Sequence, residues 1–322
     1  MPISAIRQLV KTDLDAMNQL IQEQLINQHP LVLDMSKYLY DGGGKQIRPM
    51  VIFLIVHACH YQGQAHLNLA ALIELFHTAT LLHDDVIDES KLRRGKDTAN
   101  LVWGNKASVL VGDYLYTLHI QLLLSLKNFT LFELMNQVTQ RIGHGELEQL
   151  SNRHRHDLGL NDYLKVIEAK TSMLFAAATS GAGHISNMPQ AIIDDLYHYG
   201  LHLGNAFQLI DDALDYCADT QQLGKNIGDD LADGKITLPL IHALAHGNTD
   251  ERRLIQASIE RGDVSRLTDI IHIIDKTNAI AFTKEIARRE VSCAIDYLKN
   301  IDDSVYKQAL IDLALESLNR QH

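Results

Sequence analysis

The chain has 322 residues, 46% of them hydrophobic, and a formal net charge of −11 at pH 7. Such a length and apolar content allow a large core, and the acidic balance argues against nucleic acid as a partner. Its three cysteines, Cys59, Cys217 and Cys293, are odd in number and unpatterned, which fits reduced thiols in a cytoplasmic protein.

The N-terminal residues lack an apolar segment behind a basic one, so no signal peptide is expected. Ile6, Leu9, Val10, Leu14, Met17, Ile21 and Leu25 recur at helical spacing and predict one amphipathic helix. The run Asp41-Gly42-Gly43-Gly44-Lys45-Gln46-Ile47-Arg48-Pro49 breaks the pattern, and helices are predicted over 48–60 and 67–88. A polar loop, 90–98, follows; then come helices over 107–126 and 131–150, and a His- and Arg-rich break over 151–160. Helical spacing resumes over 162–179, stops at Ser180-Gly181-Ala182-Gly183, and returns over 191–216. After a Gly- and Asp-rich loop at 224–234, shorter helices run from Ile236 to near Asn319. Strand-type alternation is scarce, so the fold class is all-α. No linker, low-complexity tract or solenoid repeat interrupts the chain, so residues 1–322 read as one domain, a large helical bundle. No run of about 18 apolar residues is unbroken, so no membrane-spanning helix is expected.

Chemistry concentrates in two copies of one signature. Asp84-Asp85-Val86-Ile87-Asp88 closes an apolar helical run, and Asp211-Asp212-Ala213-Leu214-Asp215 closes another. One such cluster can be a solvated helix end. Carboxylates nevertheless belong at helix N-termini, and here they crowd the C-terminal ends, where the dipole opposes them. A cation between them removes that conflict. Carboxylate oxygens suit Mg²⁺, which commonly binds phosphate at the same time. Two clusters suggest two metal sites facing one another across a cavity. His77 lies roughly 10 Å up the same helix stripe from Asp84; alone it reads as a core histidine, and in line with carboxylates it could donate to a second anion. Arg93-Arg94 could clamp phosphate in bidentate fashion. Lys45 and Arg48 follow three glycines at a helix start, an anion-binding arrangement that is not a P-loop. Lys170-Thr171, Phe207-Gln208, Lys225 and Lys235 complete the set. The whole suits two polyanionic substrates with greasy tails.

These pieces resemble the trans-polyprenyl diphosphate synthase family. The likeness rests on Gly43-Gly44-Lys45-x-x-Arg48-Pro49, on Glu74-x-x-His77 leading into His83-Asp84-Asp85-x-x-Asp88, and on Arg93-Arg94-Gly95. It continues through Gly112-Asp113-Tyr114-Leu115, Lys170-Thr171, Phe207-Gln208-x-x-Asp211-Asp212-x-x-Asp215, and Gly224-Lys225 onward to Gly234-Lys235-x-Thr237-Leu238-Pro239. Within the family it is most similar to the bacterial octaprenyl diphosphate synthases that make ubiquinone side chains. The resemblance implies an isoprenoid-synthase bundle with a central apolar cavity. It implies that Asp84, Asp85, Asp88, Asp211, Asp212 and Asp215 hold Mg²⁺, three ions per site, on an allylic diphosphate such as farnesyl diphosphate. Arg93, Lys170, Lys225 and Lys235 would add positive charge there. Lys45, Arg48, His77 and Arg94 would hold isopentenyl diphosphate, and the oxygens of Thr171 and Gln208 would face the developing allylic cation. The departing diphosphate would take the final proton. Gln46 departs from the pattern, since the family frequently has Arg or Lys there. A homodimer with at most transient membrane association is implied by resemblance alone.

Short-chain members place an aromatic just before the first aspartate motif. Ala79 and Thr80 are small, so the product should grow beyond fifteen carbons, to octaprenyl or, alternatively, to a geranylgeranyl-to-nonaprenyl length. Rival readings explain less. A phosphohydrolase built on a His83-Asp84 metal pair leaves the second aspartate motif unused. A terpene cyclase does not need Lys45, Arg48 and His77, and a non-catalytic partner subunit would have lost an aspartate motif.

Overall fold

The computed structural model describes residues 1–26, 28–41, 43–93, 95–217 and 227–319. In chain order its helices begin with α1 (Ile3–Leu9), α2 (Lys11–Leu25), α3 (Pro30–Asp41), α4 (Ile47–Ala58) and α5 (Ala65–Ile87). A two-stranded antiparallel ribbon, β1 (Leu92–Arg93) and β2 (Lys96–Asp97), precedes α6 (Ala99–Trp103), α7 (Asn105–Ser125) and α8 (Phe129–Ser151). Then come α9 (Leu160–Ile167), a π-helix (Glu168–Ser172), α10 (Met173–Ile185) and α11 (Gln190–Leu214). The remainder is α12 (Asp229–Ala232), α13 (Leu238–His246), α14 (Thr249–Arg261), α15 (Leu267–Lys276), α16 (Ala279–Asp296) and α17 (Val305–Leu318). The all-α fold class is as expected.

Two compact units emerge. The first comprises Met1–Asn136, Ala177–Tyr197 and Leu298–Leu313, and the second Gln137–Ala176, His198–Tyr297 and Ala314–His322.

The first unit is built on α4 and α5. From Met50 to Val56 no side chain of α4 is more than 2% exposed, so this helix is apolar all round because it is buried all round. α5 packs along α7 on one side and against α4 and α2 on others. By length and hydropathy α5 and α7 could each cross a membrane, but two-thirds of the apolar window of α5 is buried within the fold, as in a core helix. α7 is less covered, and Leu110 and Leu124 are 67% and 60% exposed. His119 of α7 sits against Phe76 and Tyr116, with ring centroids 5.2 and 5.6 Å away, and its Nδ1–H donates to the Leu72 carbonyl at 3.0 Å. Burial pushes its imidazole down from 6.5 to about 4, against the opposing pull of that hydrogen bond.

The second unit gathers α13 with α14, α15 and α16. Its core clusters are Tyr216, Leu231, Leu240, Ile255, Ile259, Ile270 and Ile274, and beside them Tyr163, Ile167, Leu209, Ile210, Leu238 and Ala287. α14 starts at a capping box in which Asn248 and Glu251 satisfy each other's backbone N–H groups.

Three local expectations change. The first amphipathic run is two helices, because Val10 leaves helical geometry (φ −114°, ψ 19°) between them. The loop after the first aspartate motif contains the short ribbon. Ser180–Gly183 does not break a helix; these small residues let α10 pack closely, and a Cβ on Gly183 would lie 3.0–3.2 Å from Leu196 and Ile193 side-chain atoms.

Candidate active site

In the first unit the aspartate motif closes α5. Asp84 and Asp85 lie in the last turn, and Asp88 is the C-cap, its N–H donating to the Asp84 carbonyl at 2.8 Å. Asp85 is 1% exposed, and its Oδ1 accepts from Nε and Nη2 of Arg93 at 2.9 and 2.7 Å. β1 carries Arg93 back over the end of the helix. Oδ2 of Asp85 is buried with no hydrogen-bond partner. A carboxylate oxygen in that state is costly unless a cation meets it.

A cavity of about 580 Å³ runs along the same face of α5, lined there by Glu74, His77, Thr78, Leu81 and Asp85. Ile21 and Leu25 of α2, Tyr38 and Tyr40 of α3, and Gly43, Gly44 and Gln46 line the rest, with Arg93 and Lys96 at the ribbon. Asn18 and Gln22 join Ile21 and Leu25 along α2, and charge gathers at the ribbon, where Asp97 lies beside Arg93 and Lys96. Lys45 and Arg48 flank its lining residue Gln46 in sequence and are half-buried. Arg94 lies outside the described residues.

Ala79 and Thr80 are not among the residues lining this cavity. Ala79 is buried, and at 100° per residue it shares the stripe of Phe76 and His83, which meets α7. Thr80 donates its hydroxyl back to the His77 carbonyl at 2.8 Å. His83 turns toward α7. Its Nε2 reaches the Val109 carbonyl at 3.2 Å and the Asp113 carboxylate at 3.3 Å. Gly112 is glycine for the same reason, since a Cβ there would come within 2.4 Å of the His83 ring.

In the second unit Lys170 and Thr171 ride on the π-helix, an irregularity often found at functional sites. Lys170 Nζ donates to Glu146 Oε2 at 2.9 Å and to Gln149 Oε1 at 3.0 Å. The π-helix is held by close backbone approaches: a Cβ on Gly145 would lie 2.7 Å from Ala169 Cβ, and one on Gly204 would lie 2.5 Å from Ser172 Cα. Ser172 donates to Asn205 Oδ1 at 2.6 Å, and Asn205 and His202 both reach Glu290 Oε2, at 3.0 and 2.7 Å.

The second aspartate motif begins within α11. Asp212 is 4% exposed and both its oxygens are engaged: Tyr163 Oη–H donates to Oδ2 at 2.6 Å and Gln208 Nε2 to Oδ1 at 2.7 Å. Burial, reinforced by Asp230 and Asp211, holds its carboxyl well above the usual carboxylate range despite these two hydrogen bonds. The Thr171 hydroxyl donates to Gln208 Oε1 at 2.8 Å, so Thr171, Gln208, Asp212 and Tyr163 form one chain. Asp215 Oδ2 accepts from the Asp230 N–H at 3.4 Å. Lys235 Nζ meets Asp233 at 3.0 Å, and Lys225 lies outside the described residues.

Among the described residues no three His, Cys, Asp or Glu side chains form a ready-made metal cage. Mg²⁺ does not require one, since it keeps waters and takes one or two carboxylates together with substrate phosphate.

The family model for polyprenyl synthetase matches residues 29–274. The chain belongs to the polyprenyl synthetase family. It is 43% identical over 321 residues to octaprenyl diphosphate synthase of Escherichia coli strain K12, covering 99% of each chain. It superposes with TM-score 0.94 on the crystal structure of a decaprenyl diphosphate synthase from Rhodobacter capsulatus, at 38% identity and 100% coverage of both chains. It also matches a polyprenyl synthase from Caulobacter crescentus CB15 complexed with calcium and isoprenyl diphosphate, with TM-score 0.96, 34% identity, and 99% and 98% coverage.

Two features of this polyprenyl synthetase were not read from its sequence. Tyr163 lies 49 residues before its partner Asp212, and no local spacing links them. The basic stretch 151–156 acts as a brace: the His154 N–H donates to the Gly234 carbonyl at 2.8 Å, and its Nδ1–H to the Ile259 carbonyl at 3.0 Å. Gly234 is in the left-handed region (φ +67°), and a Cβ there would strike the His154 ring at 2.4 Å.

Proposed function

We infer that this enzyme extends farnesyl diphosphate with isopentenyl diphosphate to an octaprenyl diphosphate destined for ubiquinone. The observation that carries the octaprenyl end-point is the full-length likeness to the E. coli enzyme. The family match across most of the chain supports residues 1–322 as a single catalytic domain. The decaprenyl relative favours a longer product as a second reading.

In this reading Asp84, Asp85 and Asp88 hold Mg²⁺, as do Asp211 and Asp215, with three ions when substrate is present. The unpartnered Asp85 Oδ2 supports the fit. When bound, the metal supplies positive charge to the allylic diphosphate. Arg93, Lys170, Lys225 and Lys235 add cations around it, while Lys45, Arg48, His77 and Arg94 hold isopentenyl diphosphate. Asp212, with both oxygens engaged, acts first as the anchor of Gln208. Because the Gln208 amide donates to Asp212, its oxygen is turned to Thr171; because Thr171 gives its proton to that oxygen, the Thr171 oxygen presents only lone pairs outward. Fixed oxygen lone pairs are what a developing carbocation needs nearby. The exposed apolar residues of α7 support a homodimer that covers them, and a monomer by light scattering would overturn it. This reading puts the enzyme in the cytoplasm, where its free cysteines would stay reduced.

The test is incubation of purified protein with Mg²⁺, farnesyl diphosphate and labelled isopentenyl diphosphate, with products resolved by chain length. A ladder ending at forty carbons supports the octaprenyl reading, and one ending at fifty favours the decaprenyl reading. Absence of any elongation sinks both.

A further inference from the structure

Gln46 is the one position in the glycine loop where the family's frequent cation is missing, and the structure supplies a guanidinium there from elsewhere in the chain. Arg7 of α1 reaches across so that its Nη1 donates to the Lys45 carbonyl at 3.2 Å and its Nη2 to Gln46 Oε1 at 2.9 Å. Gln46 in turn donates from Nε2 to Asn18 Oδ1 of α2 at 2.7 Å. The turn needs such support. Gln46 is left-handed (φ 49°, ψ 43°), a conformation unfavourable for a residue with a Cβ, and its side chain makes no cap to α4. Its backbone carbonyl nevertheless accepts from the Met50 N–H at 3.0 Å, so this strained residue launches the helix that carries Arg48. Arg7, Gln46, Gly43, Gly44 and His77 all line the same cavity.

We propose that Arg7 is a positioning residue of the isopentenyl diphosphate subsite: it clamps the Lys45–Gln46 turn and returns to it the positive charge that Gln46 lacks. A guanidinium can do this because its planar fork serves a backbone carbonyl and a side-chain oxygen together. The inference rests on the reading above that Lys45, Arg48 and His77 bind isopentenyl diphosphate.

The test is steady-state kinetics on the full-length enzyme, varying isopentenyl diphosphate and farnesyl diphosphate separately, with melting temperatures alongside. Arg7→Ala should raise KM for isopentenyl diphosphate about tenfold, the scale of one lost charge-assisted hydrogen bond. KM for farnesyl diphosphate should stay unchanged. Arg7→Gln combined with Gln46→Arg, which moves the guanidinium to the other side of the same contact, should restore KM to within about twofold of wild type. Arg7→Lys keeps the charge but cannot bridge both acceptors, so it should fall between wild type and Arg7→Ala; it serves as the second variant if the alanine form does not fold. Equal rises in both KM values, no rise at all, or failure of the double variant to recover would overturn the proposal. Wild-type enzyme that does not consume isopentenyl diphosphate removes the underlying reading as well. Wild-type turnover with Lys45→Ala impaired and Arg7→Ala unaffected removes only this inference.

Discussion

Every proton in the chain Tyr163–Asp212–Gln208–Thr171 points toward Asp212. A buried carboxylate has no donor of its own when ionised, so two donors converge on it and the rest of the chain takes its polarity from there. Removing the Tyr163 hydroxyl leaves Asp212 Oδ2 buried with nothing to accept from. Tyr163→Phe should therefore lower kcat about tenfold with little change in either KM, and should cost roughly 1–2 kcal/mol of stability. A Tyr163→Phe enzyme with unaltered kcat would separate this chain from catalysis.

Helices here approach one another through glycines, and one approach governs the π-helix. A Cβ at Gly204 would meet backbone and not a flexible side-chain tip. Gly204→Ala should destabilise by about 1–3 kcal/mol and lower activity with it. Gly143→Ala on α8, where a Cβ meets nothing within 4 Å, should leave the melting temperature level or slightly raised. Equal effects of the two would show that crowding at Ser172 is unimportant. Ala79→Tyr on α5 places a large ring at a position 2% exposed. It should lower stability by about 1–3 kcal/mol; shortened products would show that the growing chain passes the α5–α7 seam where Ala79 packs, and a full-length product ladder from the folded variant would keep Ala79 out of the wall. Helical periodicity made α4, α5, α7 and α11 legible in the sequence within about two residues, because their apolar stripes are long. The break at Val10, the π-helix and the continuation through Gly181 and Gly183 were not legible, since each depends on what packs beside it. The motif residues could be named from spacing and resemblance. The engagement of Asp85 by Arg93 and of Asp212 by Tyr163 could not, because those contacts arise only on folding.

Across the whole molecule, buried titratable groups set how stability responds to pH. His119 titrates near 6.5 when exposed but only at about 4 in the folded protein. Below pH 6.5 the unfolded chain takes up a proton that the folded one refuses, so stability falls as the pH drops toward 4, by roughly 3 kcal/mol from this residue. His119→Gln should flatten that slope in denaturant melts between pH 7 and 4.5; an unchanged slope would assign the acid sensitivity to other groups. The Mg²⁺ sites proposed at the carboxylates of α5 and α11 would have a second thermodynamic consequence. A ligand that binds only the native state raises stability by mass action, by about 2.7 kcal/mol at a hundred times its Kd. The melting temperature should therefore climb with Mg²⁺ concentration in the absence of any substrate and fall back with EDTA. Asp84→Ala together with Asp85→Ala should weaken that dependence and abolish turnover, so the rise of melting temperature with Mg²⁺ concentration would report the native fold's appetite for divalent ions without any assay of product.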